Sequence, residues 1–279
     1  MGVVGSPIDH SKSPLLHAAA YTALGLDWSY GKHDVPAGTL NDFVAARDSS
    51  WRGLSVTMPL KREAFALSAT VDAHAQYTEA VNTLAFSYEG GARTIRGFNT
   101  DVFGIVRALQ AGGVQGIDHA VLIGAGATAE SALVALDELG AGFVTVALRD
   151  LAKAERILGL GARLGIDVRV TALRDVGAIT ACQVTVSTVP GSAELSLDAL
   201  KRTDGAVLLD AAYDVWPSPR AQRWTQSGGV SVSGLSMLAQ QALKQVRIFV
   251  SGAPDAPLPN EPEVLGAMFA SVGLNEKGL

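Results

Sequence analysis

The segment Val121-Leu122-Ile123-Gly124-Ala125-Gly126-Ala127-Thr128-Ala129 decides the fold class of this chain. An apolar run typical of a buried strand leads into two glycines, and a helical pattern continues to about Leu139. A G-x-G-x-x-A pattern between a strand and a helix indicates a dinucleotide-binding loop, with a tight turn at Gly124 and close pyrophosphate approach at Gly126. We therefore predict cofactor contacts from Gly124, Gly126, Ala127, Thr128 and Ala129.

Strand-like and helix-like segments alternate beyond this loop. Apolar strand segments lie at Phe143–Leu148, Val168–Thr171, Gln183–Ser187 and Ala206–Asp210. This rhythm predicts a parallel, doubly wound sheet over residues 102–235. We expect residues 1–101 to form another α/β domain, completed by the helical residues 236–279. The first domain is then discontinuous in sequence.

Three local features of the first half are also predicted. Pro14 suits the first position of a helix running to Leu24, with Ser13 as its N-cap. The aromatic segment Trp28–Val35 indicates a strand. Asp101 is expected to cap a helix over 102–111.

The cofactor type is read where the second strand of the doubly wound sheet ends. An enzyme that prefers NAD usually has a carboxylate at the strand tip, but here the tip is Leu148. Arg149 follows, and Lys153 lies four residues further on, so both suit a 2′-phosphate. Asp150 favours the opposite choice if it faces the ribose, and it can alternatively cap the next helix.

Composition restricts the classes of function. The chain is 48% apolar and 18% charged with a net charge of −5, so it can bury a large core, and nucleic acid or acidic membrane partners are not favoured. No apolar run approaches the roughly 20 residues that span a bilayer, and we expect a cytoplasmic enzyme. Cys182 is the only cysteine and is expected in the core. The histidines have no metal-binding spacing with it, so no metal site is predicted.

Seven further sequence blocks, in a consistent order, resemble the shikimate dehydrogenase family. They are Gly5–Pro14 (GSPIDHSKSP), Ser55–Lys61 (SVTMPLK), Glu79–Thr83 (EAVNT), Gly97–Asp101 (GFNTD), Ser187–Pro190 (STVP), Asp210–Pro217 (DAAYDVWP) and Gly234–Ala242 (GLSMLAQQA). Together with the glycine loop they extend from near residue 1 to about residue 245.

The resemblance implies a two-domain α/β enzyme, with an N-terminal α/β substrate domain and a Rossmann-type doubly wound NADP-binding domain. Such an enzyme is an NADP-dependent oxidoreductase acting on a CH–OH group, and it interconverts 3-dehydroshikimate and shikimate in aromatic amino-acid biosynthesis. Its partners are NADP(H) and this small-molecule substrate, and it is expected to be a monomer or homodimer.

The resemblance also implies a role for each matching residue. Lys61 and Asp101 are the expected catalytic pair. Ser11, Ser13 and Tyr213 are expected to bind the substrate carboxylate, and Thr57, Asn82 and Gln241 the ring hydroxyls. Further cofactor contacts are expected from Thr188, Val189, Pro190, Gly234 and Met237.

Two alternatives remain open from the residues alone. One is a quinate/shikimate dehydrogenase that uses NAD. Space near Ser11, Ser13 and Tyr213 decides whether the extra hydroxyl of quinate fits. Leu148 and Asp150, which stand where the family often has Asn and Thr, weaken the case for NADP over NAD. The other is a non-catalytic nucleotide-binding homologue, against which the presence of both Lys61 and Asp101 argues.

Overall fold

The computed structural model describes residues 1–193 and 195–279, which form two compact units. The first unit contains residues 1–100 and 238–276, and the second contains residues 101–237 and 277–279. The boundaries lie one or two residues from the predicted ones. The last three residues differ, because they belong to the second unit rather than the first.

The first unit contains a six-stranded mixed sheet with the strand order β2-β1-β3-β5-β6-β4. Strand β5 is antiparallel to β3 and β6, while the other neighbours are parallel. The strands are β1 (Gly2–Gly5), β2 (Gly31–Asp34), β3 (Gly53–Val56), β4 (Thr70–Val71), β5 (Thr83–Glu89) and β6 (Ala92–Phe98). The helices are α1 (Ser13–Ala23), α2 (Leu40–Ala45), α3 (Lys61–Leu67) and α4 (Ala73–Thr78), with the C-terminal helices α9 (Gly234–Ser251, from Leu238 onward) and α10 (Glu261–Ser271).

The C-terminal helices pack into the first unit through a shared apolar core. Leu16 and Tyr21 of α1 are buried together with Leu243 and Val246 of α9 and Phe269 of α10. Each fully buried aliphatic side chain of this kind contributes about 1.5–3 kcal/mol through its removal from water. This burial explains why a segment so distant in sequence completes the first unit.

The second unit contains a six-stranded sheet with the order β12-β11-β10-β7-β8-β9, in which every neighbouring pair is parallel. The strands are β7 (His119–Ile123), β8 (Phe143–Leu148), β9 (Asp167–Ala172), β10 (Cys182–Ser187), β11 (Arg202–Asp210) and β12 (Val230–Ser233). The helices are α5 (Asp101–Ala111), α6 (Ala127–Glu138), α7 (Ala154–Leu164) and α8 (Pro219–Gln226), with 3₁₀ turns at Leu151–Lys153 and Leu173–Ala178. The predicted doubly wound parallel sheet is confirmed.

The strand order of this sheet fixes where a ligand can bind. After β7 the chain adds β8 and β9 on one side, and then β10, β11 and β12 on the other. The winding direction therefore reverses between β7 and β10, and parallel α/β sheets bind ligands at the carboxyl ends of such strands.

Three local predictions are corrected. Ser13 is the first residue of α1, and the cap position is Lys12, without a side-chain cap. Helix α5 begins at Asp101 itself rather than after it. Strand β2 starts only at Gly31, because the rings of Trp28 and Tyr30 pack against helix α1 instead of extending the strand.

The expectation for Cys182 is confirmed, because it is a buried free thiol. None of the helices in the described part of the chain is long and apolar enough to cross a membrane. Within residues 1–193 and 195–279, no group of three or more His, Cys, Asp or Glu side chains is arranged to hold a metal ion.

Candidate active site

The turn after β7 requires a glycine at its first position. Gly124 has a φ of +115°, and a Cβ there would lie 2.3 Å from the hydroxyl oxygen of Thr188. The Thr188 hydroxyl and backbone N–H both donate to the carbonyl of Ile123, each at 2.9 Å. A side chain at Gly124 would therefore push the 188 loop away from the end of β7.

Gly126 serves a different purpose, because the protein's own packing does not require it. It is the N-cap of α6, no side chain caps the helix there, and a Cβ would meet no atom within 4 Å. The open space lies at the start of a helix, where unpaired N–H groups attract a phosphate. Ala127 and Thr128 form the partly exposed first turn, while Ala129 is fully buried against the sheet.

A pocket of about 570 Å³ opens beside this loop within the second unit. Seven of the predicted cofactor residues line it together: Gly124, Gly126, Arg149, Lys153, Thr188, Val189 and Pro190. The other five predicted cofactor residues, Ala127, Thr128, Ala129, Gly234 and Met237, are not among its lining residues. Gly234 has a packing role, because a Cβ there would lie 2.3 Å from the Ala211 carbonyl oxygen. A dinucleotide suits this pocket, because Gly126 at the start of α6 and the positively charged side chains of Arg149 and Lys153 line it together.

The carboxylate of Asp150 is used by the backbone. It accepts a hydrogen bond from the N–H of Ala152 at 3.1 Å and so caps the 3₁₀ turn after β8. Leu148 is buried at the strand tip, while Arg149 and Lys153 are exposed at the pocket. This arrangement offers positive charge to a 2′-phosphate and gives Asp150 a local role that needs no ribose.

The predicted substrate residues of the first unit gather at one edge of its sheet. Ser11 and Ser13 follow β1, and Thr57 and Lys61 follow β3, and these two strands are parallel neighbours. Asn82 immediately precedes β5, which is antiparallel to β3, so it lies at the same edge. The N–H of Thr57 donates to the Val4 carbonyl at 2.9 Å and holds the two loops together.

Asn82 and Gln241 contact each other directly, although 159 residues separate them. The Asn82 amide donates to Gln241 Oε1 at 3.1 Å and to Thr100 Oγ1 at 2.9 Å. In return, the N–H of Thr100 donates to Asn82 Oδ1 at 2.9 Å. All three residues are buried, so their amide groups are held in fixed orientations. Thr100 lies in the GFNTD segment, but no role was predicted for it from the sequence.

A buried hydrogen-bond network joins α1, β3 and α9 and was not predicted. Tyr30 donates to Ser55 at 2.6 Å, and Ser55 donates to Gln245 at 2.7 Å. His17 stacks on Tyr30 and contacts Gln245 at 3.2 Å. Burial lowers the pKa of His17 to about 3, so this ring is neutral at physiological pH. Gln245 lies one helical turn after Gln241, and that spacing was the only signal of its role.

Ser11 and Ser13 are linked at the start of α1. The backbone N–H of Ser13 donates to the Ser11 hydroxyl oxygen at 3.3 Å, which leaves the hydroxyl hydrogen of Ser11 available to a ligand. Ser13 itself is buried at 5% exposure. The Ser11 hydroxyl therefore lies beside the N-terminus of a helix, which favours a bound carboxylate, while the Ser13 side chain is hydrogen-bonded to Tyr30.

The expected catalytic residues open two helices in different units. Lys61 is the partly exposed first residue of α3 in the first unit, and its carbonyl accepts from the Val81 N–H at 2.9 Å. Asp101 is the buried first residue of α5 in the second unit. Tyr213 lies in the loop after β11, where burial and the nearby charge of Asp214 raise its pKa.

Comparisons with known proteins identify the family of this chain. Residues 3–84 match the shikimate dehydrogenase substrate binding domain. The NADP(+)-type shikimate dehydrogenase of Methylobacterium radiotolerans is 35% identical over 86% of this chain and 87% of its own length. The chain also matches the pentafunctional AROM polypeptide of Yarrowia lipolytica at 32% identity, but it spans only 17% of that protein.

Solved structures give the same result for the fold. The crystal structure of Mycobacterium tuberculosis shikimate dehydrogenase has a TM-score of 0.80 and 39% identity, with 98% of this chain and 97% of that chain covered. The shikimate 5-dehydrogenase of Thermus thermophilus, solved in complex with NADP(H) and shikimate, has a TM-score of 0.79 and 28% identity over 97% of this chain and 98% of that one. On these grounds the chain belongs to the shikimate dehydrogenase family.

Proposed function

We propose that this chain is an NADP-dependent shikimate dehydrogenase, which reversibly reduces 3-dehydroshikimate to shikimate in aromatic amino-acid (chorismate) biosynthesis. The observation that carries the proposal is the pocket beside the glycine loop, where Arg149 and Lys153 face the space left open at Gly126. We infer the substrate from family membership, because the relatives are named for shikimate and the Thermus thermophilus structure is a complex with shikimate and NADP(H).

The substrate carries one carboxylate and several hydroxyls, and the first unit offers groups for each. Ser11 and Ser13 bind the carboxylate beside the start of α1, and the family resemblance adds Tyr213 to the expected carboxylate-binding residues. Thr57, Asn82 and Gln241 bind ring hydroxyls, and the hydrogen bonds between Asn82, Gln241 and Thr100 fix the orientations of the two side-chain amides. The fixed amide orientations reduce the entropy lost on binding, which favours specificity for one arrangement of hydroxyls.

Lys61 and Asp101 form the proposed catalytic pair. The nicotinamide of NADPH supplies a hydride to the substrate carbonyl carbon. The carbonyl oxygen then carries developing negative charge and needs a proton. By the family resemblance, we expect the Lys61 ammonium to stabilise that charge and the Lys61 and Asp101 pair to deliver the proton. In the reverse direction the same groups accept the proton from the alcohol.

Arg149 and Lys153 give the preference for NADP over NAD. A guanidinium binds a phosphate through paired N–H donors, and the ammonium adds a point charge. The cap that Asp150 provides to Ala152 supports this assignment, because the carboxylate is turned to the backbone rather than required for a ribose hydroxyl.

Substitution of the catalytic pair tests the proposal. Lys61→Ala and Asp101→Asn should each lower kcat for shikimate oxidation at least about 100-fold, since general acid–base groups contribute about 10²–10⁴ in rate. Shikimate binding, measured by calorimetry, should change much less. Lys201→Ala removes an exposed lysine of the second unit and is the matched control, which should retain wild-type turnover. Near-normal kcat in Lys61→Ala would overturn the assignment.

A further inference from the structure

Arg220 and Asp210 form a buried ion pair in the second unit. Their side chains are 2% and 0% exposed, and Nε and Nη2 of Arg220 each donate to one carboxylate oxygen at 2.8 Å. Ser218 adds a third hydrogen bond to Asp210 at 2.6 Å and also caps α8 through the Ala221 N–H. The pair could not be predicted from the sequence, because an arginine in a short polar helix is typical of a surface position.

The remaining donors of the guanidinium bind the loop after β10. Arg220 donates to the carbonyls of Val189 at 3.2 Å and Pro190 at 3.3 Å, with a longer contact to Ala193 at 3.5 Å. Val189 and Pro190 line the proposed cofactor pocket. One buried side chain therefore ties a wall of that pocket to Asp210 at the end of β11.

The same loop also touches the segment that carries Tyr213. A Cβ on Gly191 would lie 2.4 Å from a carboxylate oxygen of Asp214, so the two loops are in close contact. Asp210 begins this segment three residues before Tyr213. A displacement of residues 188–193 would therefore move both the wall of the proposed cofactor pocket and the segment that carries Tyr213.

The strand order shows which half of a dinucleotide this loop meets. Arg149 follows β8, Thr188 follows β10, and β7 lies between these strands. A dinucleotide lies across the carboxyl ends on both sides of the switch point, with its two halves on opposite sides. With the 2′-phosphate at Arg149, the nicotinamide half lies on the β10 side.

We propose that Arg220 is a positioning residue that holds the nicotinamide-side wall of the pocket in place through the Val189 and Pro190 carbonyls, without touching the cofactor. The inference rests on the proposed assignment of the pocket to NADP(H). Burial of an ion pair is costly, and apolar side chains in its place are often equally stable, so stability alone gives little reason for the pair. The fork of donors that reaches both a carboxylate and two loop carbonyls is specific to arginine.

The Kd values of two ligands distinguish a positioning role of Arg220 from a general contribution to stability. Adenosine 2′,5′-bisphosphate occupies only the Arg149 side, whereas NADPH needs both sides. In Arg220→Lys, which loses the fork but keeps the charge, the Kd for NADPH should rise at least about tenfold, while that for the bisphosphate stays within about twofold. The double variant Asp210→Asn, Arg220→Met leaves no unpaired charge and should show the same split in a folded protein.

Arg223→Ala is the matched control, because Arg223 is on the same helix and binds the Leu195 carbonyl and Asp198 outside the pocket. It should leave both Kd values unchanged, and urea unfolding of every variant reports the stability separately. Equal weakening of the two ligands in both Arg220 variants, or no weakening in either, would overturn the inference. A wild-type protein that binds neither ligand would instead overturn the cofactor assignment and, with it, this inference.

Discussion

Replacement of Arg149 by alanine gives a sharp prediction about cofactor choice. The side chain is exposed and lines the pocket together with Lys153, and it directly follows the strand tip Leu148. A charge-assisted hydrogen bond contributes about 1.5–3 kcal/mol. Because Arg149 is exposed, solvent and salt screen it, so we expect the lower end, about 1.5 kcal/mol or roughly a tenfold rise in KM for NADP⁺.

NAD⁺ lacks the 2′-phosphate, so its KM should stay within about twofold in the same variant. Initial rates of shikimate oxidation with each cofactor, at low and high ionic strength, measure both values, and the NADP⁺ effect should shrink as salt rises. Arg169→Ala removes one positive charge from a surface pair with Asp167 outside the pocket and controls for net charge. An equal change for NADP⁺ and NAD⁺ in Arg149→Ala would refute the reasoning.

Three further predictions test other parts of the site. Ser11→Ala and Ser13→Ala should each raise KM for shikimate about tenfold or more with smaller effects on kcat; unchanged KM values in both folded variants would remove them from the carboxylate site. Gly126→Val should fold with near wild-type stability, since its Cβ meets no protein atom, yet lose NADPH binding in calorimetry; retained binding would contradict the pyrophosphate assignment. Burial lowers the pKa of His17 to about 3, so the unfolded chain binds a proton that the folded one does not between about pH 6.5 and 3, and stability must fall as pH falls through this range. Urea unfolding of wild type should therefore lose about 1.4 kcal/mol more per pH unit than His17→Asn there, and identical slopes would count against this pKa shift.

The second unit could be predicted well because its signals are local. A buried strand, a glycine turn and a helix follow one another between Val121 and Glu138, and each requires only its neighbours in sequence. The parallel pairing then follows from the alternation of strands and helices, because parallel neighbours need a crossover connection. Capping was likewise one of the two roles predicted for Asp150, the other being ribose binding, because a cap involves residues only two or three positions apart.

The features that could not be predicted depend on distant contacts. Trp28 and Tyr30 have strand-forming side chains, but their rings pack on α1 and leave only Gly31–Asp34 to pair. Arg220 is buried only because Asp210 and the carbonyls after β10 meet it. Neither outcome has a sequence spacing that indicates it, since tertiary packing decides both.

The most direct test of the account is an initial-rate comparison of shikimate and quinate as substrates, each with NADP⁺ and with NAD⁺. We predict that shikimate with NADP⁺ gives the highest kcat/KM, with at least about a tenfold preference over shikimate with NAD⁺. Quinate, which adds a hydroxyl beside the carboxylate, should react more slowly with either cofactor. A higher kcat/KM for quinate, a preference for NAD⁺, or no turnover in any of the four combinations would contradict the account.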